Sequence, residues 1–393
     1  MTVAEIGRTT VSDRAGAGLR LAILGSRGFP STYGGFETLV RRLAPYMVAA
    51  GADTTVYCRD AQTKWRSRTV DAVRCISTPG LDRKSSSTLS FGASGSLDAA
   101  ARNFDAVLVL NVANGFFLPL LKARGIPTAV NVDGMEWQRE KWSGLGQKTF
   151  RVGADLTARF ATELVVDAEA IGDIWQSLFG RRGVFIPYGA DVLEPRDDTR
   201  IRALGLEPGA YGLVVARLAP ENNIELALDA LEQASPDMQF VVVGSANYET
   251  PIEDRLRHLV ATRSGFHWLG HVHDQELLSD LWAHCAVYLH GHSVGGTNPA
   301  LLQALGAGSP TLALDTPFNR EVLRRDDQLY PRDAAALAEM MLRTVGDAGR
   351  RADLAAHGRE VVATRYSWDS VCGAYLDLLV SLAAPRAARA TKR

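Results

Sequence analysis

A glycine-bearing loop lies between an apolar run and a helix start in the segment AVYLHGHSVGGTNPALLQALGAGSPTLALD. Thr297 or Asn298 can cap a helix whose first residue is the proline that follows, because these residue types favour those positions. The unpaired N–H groups and the positive dipole end of the helix would then point toward the loop. Gly295 and Gly296 carry no Cβ, so a phosphate could approach the backbone closely. The segment therefore predicts a site for a nucleotide diphosphate.

Arg217 is a second candidate for phosphate binding, because it directly follows the predicted strand Leu213–Ala216. A guanidinium can bind a diphosphate through two parallel hydrogen bonds. The alternative is an ion pair with Glu221 or Glu225. A parallel sheet would bring Arg217 and the Gly295 loop to one edge, which favours phosphate binding.

A second glycine-rich loop, GSRGFPSTYGGFETLV, follows the first predicted strand and precedes a helix that begins near Phe36. Its spacing is not GxGxxG, which argues against a nicotinamide dinucleotide. We expect the loop to present backbone amides, with Tyr33 and Glu37 available for hydroxyl contacts. A purely structural turn is the alternative. The proposed acceptor-side loop includes Gly34 and Gly35.

Asp133 follows another predicted strand, Pro127–Val132, and Glu136 stands three residues further on. Asp133 could orient a donor or acceptor hydroxyl, and Glu136 would lie within reach if the segment is helical. Helix capping is the alternative role for Asp133.

Asn319, Arg320 and Glu321 begin a predicted helix that also follows a strand. A contact with the donor sugar is one interpretation of these residues. A surface ion pair is the other, and the sequence does not decide between them.

Cysteine and histidine spacing gives no metal signature. The four cysteines form no CxxC pair, which favours buried thiols in a reducing compartment. His290 and His292 flank a glycine and are interpreted as core or loop histidines rather than ligands. No metal site is expected.

Composition limits the class of protein. The chain has 393 residues, 46% of them hydrophobic and 22% charged, with a formal net charge of −1. This length favours two domains, and the charge balance argues against a nucleic-acid partner. Neither a membrane-spanning run nor a signal peptide is evident, so a cytoplasmic location is expected.

Short apolar runs alternate with helical or loop segments along most of the chain, which predicts an α/β fold with two doubly wound parallel-sheet domains. The expected boundaries are a disordered tail at 1–18, an N-terminal domain at 19–187, a C-terminal domain at 188–366, a helix at 367–385 and a basic tail at 386–393. Ligands of such folds bind at the carboxyl ends of the strands, so a cleft between the domains is expected.

Residues 137–151 interleave aromatic with basic side chains. The residues concerned are Trp137, Trp142 and Phe150 with Arg139, Lys141, Lys148 and Arg151. Such a mixture suits the interface of an anionic membrane, where a lipid-linked acceptor would lie. A partly buried loop with a solvated basic face is an equal alternative.

Five collinear motifs resemble the bacterial family 4 glycosyltransferases, in particular the branch that contains rhamnosyltransferases of cell-surface polysaccharide assembly. They are GSRGFPSTYGGFETLV, NVDGMEWQREKW, ARLAPENNIELAL, HGHSVGGTNPALLQAL and DTPFNREVL. The resemblance implies a GT-B fold, a nucleotide-diphosphate sugar donor, retention of anomeric configuration and no required metal or other cofactor. It also implies that the last helix crosses back onto the first domain.

Three positions depart from the wider family's pattern. Gly295 and Gln303 stand where two glutamates are common, and Asn222 stands where many relatives carry lysine. Gln303 offers one carbonyl acceptor and cannot chelate two ribose hydroxyls as a carboxylate does, which suits a deoxyribose. Asn222 could bind a phosphate oxygen without adding charge. Charge neutralisation would then depend mainly on Arg217.

The sequence therefore predicts a retaining glycosyltransferase, with L-rhamnose from dTDP-rhamnose as the favoured donor and a UDP-sugar as another. The acceptor would be a saccharide or a lipid-linked saccharide. A catalytically impaired nucleotide-sugar-binding module is the alternative, because Gln303 replaces the usual glutamate. A nucleotide-dependent oxidoreductase is disfavoured because the dinucleotide glycine fingerprint is missing.

Overall fold

Two compact units divide the chain in the computed structural model. The first runs to Tyr188 and includes the C-terminal helix from Trp368, and the second spans Gly189–Ser367. The structure describes residues 16–30, 34–60, 65–81, 87–135, 137, 144–194, 196–234, 238–246 and 250–390.

Each unit contains one sheet. The first has eight strands in the order β3-β4-β2-β1-β5-β6-β7-β8, and the second has six in the order β11-β10-β9-β12-β13-β14. The strands are β1 Arg20–Leu24, β2 Asp53–Asp60, β3 Arg66–Val70, β4 Val73–Pro79, β5 Ala106–Leu110, β6 Thr128–Asn131, β7 Glu163–Val166, β8 Val184–Phe185, β9 Tyr211–Val215, β10 Gln239–Val243, β11 Phe266–Trp268, β12 Val287–His290, β13 Thr311–Leu314 and β14 Leu329–Tyr330.

Helices connect the parallel strands. They are α1 Gly35–Ala49, α2 Ser87–Ala101, α3 Leu118–Ala123, α4 Gly144–Phe160, α5 Glu169–Phe179, α6 Thr199–Ala203, α7 Ile224–Ala234, α8 Pro251–Thr262, α9 Gln275–Ala283, α10 Pro299–Ala307, α11 Pro317–Leu323, α12 Ala334–Gly346, α13 Ala348–Arg365 and α14 Trp368–Ala390. The predicted α/β class with two parallel-sheet domains is confirmed, since every strand pair but one within the described residues is parallel.

Strand β9 is an apolar run in the sequence because it is buried on both faces. Val214 packs into a buried cluster with residues of α7 and α12, whereas Tyr211 and Leu213 pack into another with residues of α9 and α10. Both faces of the strand are covered, so no polar alternation remains in the sequence.

The exception to the parallel arrangement is β3, which pairs antiparallel with β4. Asp71 and Ala72 form the turn of this hairpin, both with positive φ. Neither strand was expected from the sequence, because β3 is an exposed edge strand of polar residues and β4 interrupts its apolar residues with polar ones. The two-residue strands β8 and β14 were also missed.

The predicted tails need correction where the structure describes them. Gly16 and Gly18 donate backbone hydrogen bonds to Ala50 and Gly51, so residues 16–18 belong to the folded unit. The predicted basic tail at 386–393 begins inside α14, which continues to Ala390. Residues 1–15 and 391–393 lie outside the described residues.

Helix α14 packs against the first unit. It contacts α1, β5 and β6. Asn131 Nδ2, at the end of β6, donates a 2.7 Å hydrogen bond to Tyr375 Oη, and the Arg42 guanidinium lies 5.8 Å from the Trp368 ring centroid. The C-terminal residues thereby reach the carboxyl end of the first sheet.

Candidate functional site

The loop after β12 ends in a capped helix. Asn298 Oδ1 accepts a 2.9 Å hydrogen bond from the backbone N–H of Ala300, and Pro299 is the first residue of α10. The helix start predicted from the sequence is therefore confirmed, with Asn298 rather than Thr297 as the cap. Thr297 is buried beside it. The first-turn N–H groups and the positive dipole end of α10 lie at this loop.

Gly295 and Gly296 stand just before this cap. Gly295 has φ +119°, a backbone conformation that residues with a Cβ rarely adopt. A Cβ at Gly295 would lie 3.4 Å from His292 Nε2, so the histidine ring is its neighbour. The structure thus places His292 beside the loop predicted to bind phosphate.

Arg217 lies on the loop after β9, the strand that pairs with β12. Its side chain is 50% exposed, and its guanidinium is 3.8 Å from Glu221 Oε1. The ion-pair alternative is therefore present, but a pair with this long separation and a half-exposed arginine contributes only about 0–1 kcal/mol. Such a weak pair leaves Arg217 able to reorient toward a diphosphate.

Asn222 lies on the same loop and is buried. Its Nδ2 donates a 2.8 Å hydrogen bond to the carbonyl oxygen of Arg217, and its Oδ1 is 2.7 Å from His292 Nδ1. Direct contact with phosphate remains a prediction. In the structure, the Asn222 side chain connects the loop after β9 to the loop after β12.

The three candidate residues near the start of α11, Asn319, Arg320 and Glu321, lie in different environments. Asn319 is 2% exposed, and its Nδ2 donates to the carbonyl oxygens of Leu314 and His292 at 2.8 and 3.1 Å. Arg320 Nη2 lies 2.8 Å from each carboxylate oxygen of Asp315, and the guanidinium also contacts Asp326. The surface ion pair is therefore present for Arg320. The Glu321 carbonyl oxygen accepts from Arg365 Nη1 at 3.2 Å; sugar contacts by the trio remain predictions.

Gln303 lies in the second turn of α10. It is partly exposed, whereas Leu301, Leu302 and Ala304 around it are buried in the core. This arrangement leaves the Gln303 amide at the helix surface. Its contact with a ribose hydroxyl remains a prediction.

His290, the last residue of β12, is 4% exposed, and its Nδ1 is 3.1 Å from Tyr288 Oη. Burial lowers the pKa of His290 to about 3, with a smaller contribution from His292. The ring is neutral at pH 7 because the charged form would lose hydration. This burial matches its interpretation as a core histidine.

In the first unit, Glu37 anchors the glycine-rich loop. Its side chain is buried, and its Oε1 accepts a 2.9 Å hydrogen bond from the backbone N–H of Arg27. Gly34 has φ +115°, and a Cβ there would collide with Glu37 Oε2. Glu37 therefore has a structural role in addition to its predicted hydroxyl contact. Tyr33 lies outside the described residues.

Asp133 stands two residues beyond β6 with φ +59°, an uncommon conformation for a residue other than glycine. Its backbone N–H donates a 2.9 Å hydrogen bond to Asn131 Oδ1. The same Asn131 amide donates to Tyr375, so α14 helps to fix Asp133. Glu136, predicted to assist Asp133, lies outside the described residues.

Tyr188 completes this end of the first sheet. It is 6% exposed, and its Oη would lie 3.2 Å from a Cβ at Gly35. Burial raises the pKa of the Tyr188 hydroxyl well above its ordinary value, and the charges of Asp133 and Asp167 raise it further. The hydroxyl therefore stays protonated and can donate a hydrogen bond.

Sequence reasoning missed Asp167, Tyr188 and Tyr375. Asp167 directly follows β7, so its position after a predicted strand was an available signal. Tyr188 was expected to begin the C-terminal domain, whereas the structure places it in the first unit. Tyr375 is 244 residues from its partner Asn131, and no local pattern reports such a contact.

The aromatic–basic segment is described only in part, because residues 136 and 138–143 lie outside the described residues. Trp137 packs edge-on against Trp175 and Phe179, and the Arg151 guanidinium lies 4.6 Å from the Phe179 ring centroid. Phe150 is buried. These three residues fit the alternative of a partly buried segment.

The described residues contain neither a metal-binding cluster nor a membrane-spanning helix. Within those ranges, no three His, Cys, Asp or Glu side chains are grouped so that they could hold a metal ion. No helix in the described part of the chain has the length and apolar character needed to cross a bilayer.

Comparisons with known proteins agree with this architecture. A family model described as a glycosyl transferase 4-like domain matches residues 34–189, and one described as glycosyl transferases group 1 matches residues 210–347. Among solved structures, sucrose-phosphate synthase from Thermosynechococcus elongatus has a TM-score of 0.79 at 17% identity, covering 93% of this chain and 100% of that one. Anabaena HepE in complex with UDP has a TM-score of 0.73 at 18% identity, covering 92% and 100%.

The curated relatives match only about half of this chain. The chain is 27% identical over 215 residues to a GDP-mannose-dependent monoacylated alpha-(1-6)-phosphatidylinositol monomannoside mannosyltransferase of Corynebacterium glutamicum, covering 50% of this chain and 56% of the relative. It is 28% identical over 219 residues to a phosphatidyl-myo-inositol mannosyltransferase of Mycobacterium leprae, covering 51% and 56%. The chain thus spans little more than half the length of these relatives.

The two family models together cover most of the chain and correspond to its two units, and the solved structures share its fold over nearly the whole length. The predicted family is confirmed at this level, whereas the rhamnosyltransferase branch is not shown. The chain belongs to the family 4 glycosyltransferases of GT-B fold.

Proposed function

We propose that the chain transfers a sugar from a nucleotide-diphosphate donor to a saccharide or lipid-linked saccharide acceptor. The observation that carries the proposal is the loop before α10, where Gly295 precedes a helix capped by Asn298. Backbone N–H groups and the positive helix end suit a diphosphate. HepE, a structural neighbour, has been solved with UDP and with UDP-glucose.

The donor we favour is dTDP-rhamnose. Gln303 stands where relatives commonly have a glutamate for ribose hydroxyls, and an amide suits the single free hydroxyl of a deoxyribose. The Corynebacterium glutamicum relative is named as GDP-mannose-dependent, which makes GDP-mannose the competing donor. The two candidate donors differ in their base, so the base preference of the protein distinguishes dTDP-rhamnose from GDP-mannose.

Arg217 and the amides of Gly296, Thr297 and Asn298 would stabilise the departing diphosphate. Preorganised donors of this kind lower the barrier where negative charge develops, so no protein nucleophile or metal is needed. The reaction would retain the anomeric configuration.

The first unit would hold the acceptor. Asp133 can accept a hydrogen bond from an acceptor hydroxyl, and the protonated Tyr188 hydroxyl can donate one. Both lie at the carboxyl end of the first sheet, where α/β folds bind ligands.

A nucleotide panel tests the proposal. Calorimetry with dTDP, UDP and GDP should show tightest binding of dTDP, and incubation with dTDP-rhamnose and a saccharide acceptor should release dTDP. Tightest binding of GDP would overturn the assignment of dTDP-rhamnose as donor, but it would not contradict the proposed sugar transfer. Tight binding without turnover on any sugar donor and acceptor would favour the impaired binding module.

Peripheral membrane contact belongs to the same proposal. A lipid-linked acceptor would bring residues 137–151 to an anionic surface on the cytoplasmic side. Membrane binding is measured by flotation of the protein with vesicles that contain anionic lipid and, for comparison, with neutral vesicles. Equal recovery with both vesicle types would contradict an electrostatic contact through this segment.

A further inference from the structure

His292 is fixed by both its ring and its backbone. Its Nδ1 lies 2.7 Å from Asn222 Oδ1, and its carbonyl oxygen accepts a 3.1 Å hydrogen bond from Asn319 Nδ2. The next residue, Ser293, donates through its N–H and its hydroxyl to the Glu221 carbonyl oxygen, both at 2.9 Å. The ring is therefore held in one orientation by two neighbouring segments.

The hydrogen-bond partners also determine the tautomer of His292. The carbonyl oxygen of Arg217 can only accept, so the amide nitrogen of Asn222 must face it. The amide oxygen of Asn222 then faces His292 Nδ1, which must carry a proton to donate to it. In the neutral ring, Nε2 is consequently the unprotonated nitrogen.

Nε2 lies on the side of the phosphate-binding loop. A Cβ at Gly295 would be 3.4 Å from this nitrogen, and Gly296–Asn298 lead directly into α10. A phosphate oxygen is only an acceptor. A neutral His292 would set a lone pair against that oxygen, whereas a protonated ring would offer it an N–H donor.

The arginines on the segments around His292 already lie close to carboxylates. Arg217 pairs with Glu221 on the loop after β9, and Arg320 pairs with Asp315 and Asp326 near Asn319, beside Glu321 on α11. Two residues earlier, at the end of β12, burial keeps His290 neutral, with a pKa of about 3. A bound diphosphate would therefore add negative charge beside arginines that already neighbour carboxylates.

We propose that His292 takes up a proton from solvent when a nucleotide diphosphate binds, and that its Nε2–H then donates a hydrogen bond to a phosphate oxygen. The inference rests on the proposed function of the Gly295–Asn298 loop. The ring becomes an imidazolium with Nδ1–H still bound to Asn222, and it returns the proton when the nucleotide diphosphate leaves. His292 thereby adds a second cation beside Arg217.

Calorimetry can count this proton. Nucleotide diphosphate is titrated into the full chain at about pH 7.5 in buffers of different ionisation enthalpy, using dTDP, UDP and GDP in turn. The dependence of the observed heat on the buffer's enthalpy gives the protons bound, and we expect net uptake approaching ~1. Affinity should fall as pH rises, because the proton becomes harder to supply.

His292→Asn is the discriminating variant. Its amide can still donate to Asn222 Oδ1 but cannot titrate, so we expect no proton uptake and binding weakened by about 10- to 100-fold, as for one charged hydrogen bond. His258→Asn, the same change at an exposed position of α8, should leave uptake and affinity unchanged.

The outcomes are separable. Binding whose heat is the same in every buffer would overturn the inference in the wild-type protein alone, without relying on the fold of any variant. Proton uptake that persists in His292→Asn would also overturn it. Failure of all three nucleotides to bind would overturn the proposed function, and the inference with it.

Discussion

The carboxyl ends of the two sheets carry opposite kinds of polar groups. The first sheet presents what we call the acidic edge: Glu37, Asp133, Asp167, Tyr188 and Tyr375. The second presents what we call the donor edge: Arg217, Asn222, His292 and the glycine loop before α10. Carboxylates repel a phosphate but bind hydroxyls, whereas backbone N–H groups, guanidinium and imidazole bind anions. The chemistry of the two edges thus favours an acceptor sugar in the first unit and a diphosphate in the second.

The way each edge is held also differs. The acidic edge depends on a residue from the end of the chain, because Tyr375 of α14 bonds Asn131, which in turn fixes Asp133. The donor edge is assembled by shorter-range amide bridges within its own unit, Asn222 to His292 and Asn319 to Leu314. Asparagine serves both edges because one amide can both donate and accept.

The largest loss is expected from Arg217→Ala. Removing one charge-stabilising group from a leaving diphosphate commonly costs on the order of 100-fold in turnover. The side chain is half exposed, so the melting temperature should change little. Transfer rate and nucleotide affinity are both measured, and we expect both to fall.

Arg200→Ala is the matched control for this variant. Arg200 is also an exposed arginine of the second unit and pairs with Asp274 and Glu276 at 3.0 and 2.8 Å. It should leave transfer unchanged. Near-normal turnover in Arg217→Ala would remove Arg217 from the mechanism and weaken the assignment of the donor edge.

Asp133→Asn should have the next largest effect, and on a different quantity. The amide keeps the size of the side chain but loses a charged acceptor for the acceptor hydroxyl, so we expect kcat to fall about 10- to 100-fold. Nucleotide affinity should stay as in the wild type. If Asp133→Asn instead weakens nucleotide binding, the division of roles between the two edges is wrong.

Tyr375→Phe should have a smaller effect that depends on Asp133. Loss of the hydroxyl leaves the Asn131 amide without its acceptor, which costs about 1–3 kcal/mol in the free energy of unfolding. We expect kcat to fall several-fold in the wild-type background and not at all in Asp133→Asn, while the stability loss is the same in both. An equal loss of kcat in both backgrounds would indicate a purely structural tyrosine.

The sequence predicted the central strands and the cap of α10 because those features are local. An apolar run such as Ala106–Leu110 indicates burial on both faces, and the Asn298-Pro299 pair indicates a helix start. The polar strand Arg66–Val70 was missed because an exposed edge strand has no apolar pattern. Local reasoning could not show the bonds of Asn222 to Arg217 and His292, because the bond to His292 forms only when the loops after β9 and β12 come together.

Gln303→Glu should change selectivity more than activity. A carboxylate can chelate two ribose hydroxyls, which UDP has and dTDP lacks at this position. We expect the variant to shift preference toward UDP by about 1–2 kcal/mol, the value of a charge-assisted hydrogen bond. Competition calorimetry with the two nucleotides measures the shift. An unchanged preference would mean that Gln303 does not contact the ribose.

The smallest effect is expected from chelation. A metal-dependent transferase needs carboxylates available to hold a divalent cation against the donor diphosphate. At the donor edge, Glu221 and Asp315 are instead paired with Arg217 and Arg320, and the groups that would balance a diphosphate are Arg217, the proposed imidazolium of His292 and the N-terminal end of α10. We therefore expect excess EDTA to leave transfer unchanged and added magnesium or manganese to give no gain. Loss of activity that either ion restores would show that a cation bound through these carboxylates, and not protein groups alone, balances the diphosphate.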